Sequence, residues 1–171
     1  MKKLYVILLC ILPSFKLWGF NPNSDFSLEF LKEFSPGQSI ESLLKKENKN
    51  SQLIEDTGEI KTYRFIQIKK NYKLVFYTQS KKDQITQLFL KLPQYFSHDF
   101  LLKDLQKKWG KQNKFFNHDK SSLYFWKNIS EFNLIYHGSC SLTCFPISIE
   151  LTLKEDLEST FYKKYNQAIN F

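Results

Sequence analysis

Apolar and aromatic residues recur along this chain with two rhythms, one near the helical period and one of period two. Phe26, Phe30 and Phe34 fall four apart with Leu31 beside them, which predicts a helix over residues 25–34, ended by Ser35-Pro36-Gly37. Ser39 reads as the N-cap of a second helix that buries Ile40, Leu43 and Leu44 before fading into the polar stretch 45–52. Residues 60–68, 72–78 and 85–92 are β-rich runs separated by polar turns, a three-stranded meander. After Pro93 the order returns. Ser97 caps a helix with the stripe Leu102, Leu105 and Trp109, and Gly110 stands in the C′ position. A polar loop at 111–122 leads to strands at 123–126, 132–137 and 145–153. Residues 155–169 close the chain as an amphipathic helix carrying Leu157, Phe161, Tyr165 and Ala168 or Ile169 on one side.

The two halves match at an offset of 61 residues. Leu44 maps to Leu105, Tyr63 to Tyr124, Phe65 to Trp126 and Leu74 to Ile135, and Leu88, Leu90 and Leu92 map to Ile149, Leu151 and Leu153. Each pair keeps its apolar or aromatic class, and a unit repeated in this way has a face it cannot bury alone. The predicted fold is therefore α+β, with two tandem helix–β-meander units of one helix on three antiparallel strands each, plus N- and C-terminal helices. The expected division is a signal segment at 1–19, a first unit at 20–93 and a second at 94–171.

The repeat also sorts the strand faces. Matched positions alternate with period two and are expected under the helices. The opposite face would then carry Arg64, Ile66, Lys73, Val75, Tyr77, Phe89 and Lys91 from the first half, and Phe125, Lys127, Leu134 and Tyr136 from the second. A merely solvated face would be mostly polar. This mixture of aromatic and aliphatic groups rimmed by lysine fits either a partner surface or a face covered by another part of the chain. Arg64, Ile66, Val75, Tyr77, Phe89 and Tyr136 are the candidate partner-binding residues.

The chain ends refine this picture. Met1-Lys2-Lys3 precedes the nine-residue apolar run Leu4 to Leu12. Spanning a bilayer takes about 20 apolar residues, so this run reads as a secretory signal, with Leu17-Trp18-Gly19 at the cleavage site. A lipid anchor on Cys10 is disfavoured by the bulky Leu8-Leu9 before it. Export makes the protein periplasmic or secreted and leaves two cysteines, Cys140 and Cys144, in an oxidising compartment. A hairpin loop of Ser141-Leu142-Thr143 would set them across from each other, near the roughly 5.5 Å that disulfides prefer between Cα atoms. Closing so small a loop contributes about 2 kcal/mol. The competing readings, a redox pair or a metal site with His137, need low-pKa thiols or a fourth ligand.

Formal charge is +8, and removing Lys2, Lys3 and Lys16 with the signal leaves +5. Arg64 is the sole arginine among 25 basic residues, which argues against specific nucleic-acid or phosphate recognition. Lysine pairs such as Lys45-Lys46, Lys81-Lys82 and Lys107-Lys108 are scattered. Five glycines leave no phosphate-cradling loop and no nucleophile elbow. Glu55-Asp56 and Glu155-Asp156 are adjacent, so their side chains diverge on a regular element. His98, His118 and His137 lack a nucleophile or second ligand at a useful spacing. No catalytic residue, metal or cofactor is expected.

The short motif Gly37-Gln38-Ser39-Ile40-Glu41-Ser42-Leu43 in the first half and Trp109-Gly110-Lys111-Gln112 in the second, each joined to an antiparallel meander, resembles the β-lactamase-inhibitor-protein-like fold. Small lipoproteins of the outer-membrane assembly machinery share that fold. The resemblance covers residues 25–153 at the level of element order. Gln112 stands where the pattern has proline, and the second half lacks the opening glycine. It implies an exported, non-catalytic protein that binds other proteins through a sheet face, inhibitor-like or assembly-factor-like, with the partner left open. Two other readings follow from the residues: a basic protein that binds anionic envelope lipids or polysaccharides through lysines on one face, and an enzyme of unrecognised type.

Overall fold

Strand pairing turns the two predicted meanders into a single sheet. A computed structural model of the protein describes residues 26–140 and 143–154. The signal segment, with Cys10, and the expected helix at 155–169 lie outside the described residues. Two short helices, α1 (Phe30–Glu33) and α2 (Ile40–Lys46), precede β1 (Ser51–Asp56), β2 (Lys61–Ile68), β3 (Lys73–Lys81) and β4 (Gln84–Lys91). Helix α3 (His98–Trp109) then leads to β5 (Lys114–His118), β6 (Ser121–Ile129), β7 (Phe132–Cys140) and β8 (Cys144–Leu153). The sheet has eight strands in the order β1-β2-β3-β4-β8-β7-β6-β5, all pairs antiparallel.

This corrects the predicted fold class. In place of two three-stranded units there is one continuous eight-stranded sheet, because β4 and β8 pair along Gln87–Lys91 and Ser148–Thr152. The strands missed are the two edges: β5 falls in the stretch read as a polar loop, and β1 begins in the polar stretch that ends at residue 52 and continues where no element is expected. Five of the six β1 residues are exposed, so no alternation of buried and polar positions marks that strand. The predicted N-terminal helix shrinks to one turn, Phe30–Glu33, while Phe26 and Phe34 still reach the core.

Helix α2 starts as the pattern predicts, with Ser39 Oγ accepting the backbone N–H of Ser42 at 3.3 Å. Asp83 tightens that start: its carboxylate accepts Ser39 Oγ–H at 3.0 Å and the Glu41 N–H at 3.1 Å. Asp83 reaches back because Lys82 and Asp83 both take positive φ in the two-residue β3–β4 turn. Helix α3 ends at Gly110, whose φ of 77° suits a residue without a side chain and whose carbonyl accepts the Trp126 indole N–H at 2.8 Å.

Among the described residues, α1, α2 and α3 all lie on one side of the sheet. Leu31, Phe34, Ile40, Leu43, Leu101 and Leu105 share one core with Phe65, Phe76, Leu88, Leu90, Trp126, Leu134, Tyr136, Ile149 and Leu151. Phe34 packs edge-on to Phe76 at 4.4 Å, and Phe65 stacks on Phe76 at 5.0 Å. Glu29 ties α1 to α3, 2.7 Å from Lys108 and 2.6 Å from Lys32, and these two cations hold its pKa down to about 2.

At the middle of the sheet Phe89 lies directly opposite Glu150, with Leu88 facing Leu151 and Leu90 facing Ile149. The offset of 61 fails at β7. Leu74 is in the helix-side core, but its expected match Ile135 belongs to a separate apolar cluster with Leu123 and Phe125. The helix-side residues of β7 are Leu134 and Tyr136, so a slip of one residue exchanges the faces.

Candidate protein-binding face

Register places one residue from every strand in a single row across the uncovered side of the sheet. The row runs Gln52, Arg64, Tyr77, Phe89, Glu150, Ile135, Phe125 and Lys114, each directly opposite the next. A second row above it holds Ile66, Val75, Lys91, Ser148, His137, Leu123 and Phe116. A polar row below holds Thr62, Gln79, Gln87, Thr152 and Asn133. Tyr77 and Phe89 have ring centroids 6.3 Å apart, and Phe116 meets Phe125 edge-on at 5.5 Å. None of the described helices packs on this side.

Five of the six candidate partner-binding residues, Arg64, Ile66, Val75, Tyr77 and Phe89, fall together on β2–β4 of this face, each half-buried. Tyr136 is the correction. It is fully buried beneath α3, with its hydroxyl 2.8 Å from His98 Nδ1. Leu134 is buried on the same side, while Phe125 faces outward as expected. The run Leu134-Ile135-Tyr136 is apolar throughout, so its sequence carries no signal for which face each residue takes.

Two polar groups on the face lack ordinary settings. Arg64 Nε is buried and has no hydrogen-bond partner among the described residues. Glu150, at the middle of the central row, is 3% exposed and accepts a hydrogen bond from Gln87 Nε2. Burial raises its carboxyl pKa from 4.5 to about 7, and the Gln87 bond offsets part of that rise. The sequence does not single out Glu150, because an acid between Ile149 and Leu151 reads as an ordinary solvent-side position. Only the pairing with β4 and β7 places it at the sheet centre.

His98 and His137 do not converge on a site. His98 opens α3 inside the core, between the Tyr136 hydroxyl and the Tyr124 hydroxyl, 3.3 Å from its Nε2. Burial lowers the His98 pKa and raises that of both tyrosines, Tyr124 and Tyr136. The trio is a sealed polar network inside an apolar layer. His137 sits on the other side, its Nε2 2.7 Å from Ser121 Oγ, with its pKa lowered by burial. Among the described residues, no cluster of three His, Cys, Asp or Glu side chains has a geometry that could hold a metal. A cleft of about 500 Å³ on the helix side, lined by Lys32, Gly37, Lys108, Trp109, Glu131 and Phe132, contains neither histidine.

Cys140 and Cys144 form a disulfide, their Cα atoms 4.0 Å apart as the final cross-strand pair of β7 and β8. No described helix is long and apolar enough to cross a membrane. The lysines are on both sides of the sheet: Lys73, Lys91 and Lys114 belong to strand positions of the outer face, while Lys45, Lys46, Lys103 and Lys107 are on the helices. No family model matches the chain. Neither a curated protein nor a solved structure matches it either.

Proposed function

We propose that the protein is an exported, non-catalytic module that binds another protein through the outer face of its sheet. Arg64, Ile66, Val75, Tyr77 and Phe89 form the contact. The observation that carries this reading is the half-buried aromatic and aliphatic patch on β2–β4, beside a basic residue with an unpartnered buried nitrogen, on a side no described helix covers. Aromatic and arginine side chains are the groups that dominate protein interfaces. The disulfide fits folding in a periplasmic or extracellular compartment after removal of residues 1–19. The likeness of the Gly37–Leu43 and Trp109–Gln112 motifs to the β-lactamase-inhibitor-protein-like fold points the same way, toward an inhibitor-like or assembly-factor-like role.

The test is capture of partners from the organism's own envelope and culture medium with the mature protein, run against Tyr77→Ala plus Phe89→Ala. Loss of one specific band in the variant, at moderate and high salt alike, supports the reading. Binding unaffected by the substitutions but abolished by salt rejects it in favour of attachment to anionic lipid or polysaccharide through the lysines.

A further inference from the structure

The two edges of the sheet differ in chemistry. Among the described residues β1 and β5 each pair with one neighbour, so half the backbone N–H and C=O groups of each strand point away from the sheet. Edges are commonly blunted by lysine or proline along the strand. β5 opens with Lys114, and Lys111 precedes it and Lys120 follows it. β1 carries neither lysine nor proline. Its two middle residues, Leu53 and Ile54, are 48% and 50% exposed.

From end to end β1 reads Ser51-Gln52-Leu53-Ile54-Glu55-Asp56. Two neutral side chains able to donate hydrogen bonds come first, two apolar ones follow, and two carboxylates that only accept come last. An identical strand laid alongside in the reverse direction sets Ser51 opposite Asp56, Gln52 opposite Glu55 and Leu53 opposite Ile54. Each donor then meets an acceptor, and the apolar pair meets its own kind. The sides of the sheet agree as well. Gln52 and Glu55 stand opposite Arg64 and Thr62 in the outer rows, whereas Ser51 and Leu53 stand opposite Phe65 and Tyr63 of the helix-side core. Residues three apart on a regular strand face opposite ways; the register shift between Leu53 and Glu55 brings 52 and 55 to one side. Glu55 makes no ion pair among the described residues, so its carboxylate is open to a donor from outside. The strip thus matches itself under a two-fold rotation, which is what an interface between identical subunits requires.

We propose that two copies of the protein pair through their β1 edges, antiparallel, about a two-fold axis perpendicular to the sheet. The two sheets become one continuous sheet. That axis keeps the helices of both copies on one side and joins the two outer faces on the other. The β2 strands of the two copies are then three strand spacings apart, about 14 Å, so the two Arg64–Tyr77–Phe89 patches flank the joint. This pairing goes beyond the proposed binding role and does not depend on it.

Sedimentation velocity of the full mature protein from about 1 µM to about 500 µM tests it, with wild type expected to pass from monomer to dimer. Leu53→Lys plus Ile54→Lys, and separately Leu53→Glu plus Ile54→Glu, should each weaken self-association at least about 10-fold, because the two-fold sets like charges against each other. Mixed in equal amounts, these two variants should recover the dimer as a heterodimer, since position 53 of one copy meets position 54 of the other. Such recovery also shows that both variants are folded. A wild type that stays monomeric throughout overturns the proposal and leaves the edge to an extended segment of a different protein. Dimers that persist in each variant alone place the contact elsewhere and reject it. A mixture that remains monomeric while wild type dimerises rejects it too.

Discussion

Glutamine in place of Glu150 would keep the side chain's shape and the bond from Gln87 while removing the charge that the sheet buries. The groups around that charge are Phe89 and Ile135 directly opposite, Gln87 and Lys91 diagonally on β4, Asn133 and His137 diagonally on β7, and Ser148 and Thr152 on its own strand. Of these only Lys91 and His137 have ionisable side chains, and no ion pair to Glu150 forms among the described residues. Below pH 4.5 the carboxyl is protonated whether the chain is folded or not, so it has no effect. Between 4.5 and about 7 the unfolded chain ionises while the folded one, with its raised pKa, keeps the proton. Folding then takes up a proton, and stability falls by about 1.4 kcal/mol for each unit of rising pH. Above that window both states are ionised and the loss levels off at about 3 kcal/mol. Urea unfolding of wild type and Glu150→Gln at pH 4, 6 and 8 reads this directly. The two should be equally stable at pH 4, and the variant should gain progressively to about 3 kcal/mol at pH 8. The contribution of His98, on the other side of the sheet, cancels in the difference. A gap independent of pH, or a wild type more stable than the variant at pH 8, would show that burial of the charge is not what sets this group's behaviour.

Three further outcomes follow from the packing. Tyr136→Phe leaves His98 Nδ1 without its 2.8 Å partner inside the core and should cost about 1–3 kcal/mol, seen as a lower urea midpoint. Gly138→Ala would place a Cβ 2.8 Å from Ser122 Oγ and 3.0 Å from His98 Nδ1, so a comparable loss of about 1–3 kcal/mol is expected; an unchanged melting temperature would show that this site has slack. Cys140→Ser plus Cys144→Ser opens the β7–β8 hairpin and should lower stability by about 2 kcal/mol without altering the far-ultraviolet circular dichroism spectrum.

Central strands are legible in the sequence because their alternation is strong. Leu88, Leu90, Ile149 and Leu151 sit under the helices as the pattern requires. The edge strands are not, because β1 is exposed along nearly all its length and meets only one neighbour, so burial leaves no trace in its composition. Which strands join the halves is also beyond the sequence. The β4–β8 ladder is a pairing across about 60 residues, and nothing local in either strand specifies its neighbour. Of the candidate site, the β2–β4 patch is legible as one face because Arg64, Ile66, Val75, Tyr77 and Phe89 lie in runs with clear period-two order. Tyr136 is misplaced because its run is apolar at every position. Glu150 and the unpartnered Arg64 nitrogen are products of register, which emerges only when strands are paired.

If the β2–β4 half of the outer face is the binding surface, the affinity of a captured partner must depend on its aromatic pair. Tyr77→Ala plus Phe89→Ala should weaken binding by at least about 30-fold, the loss of about 2 kcal/mol that marks interface anchors, with the melting curve still cooperative. Tyr95→Ala, an exposed aromatic packed against Phe96 on the helix side, should leave affinity unchanged. The reverse result, full affinity in the double variant and a loss with Tyr95→Ala, would place the surface on the helix side instead.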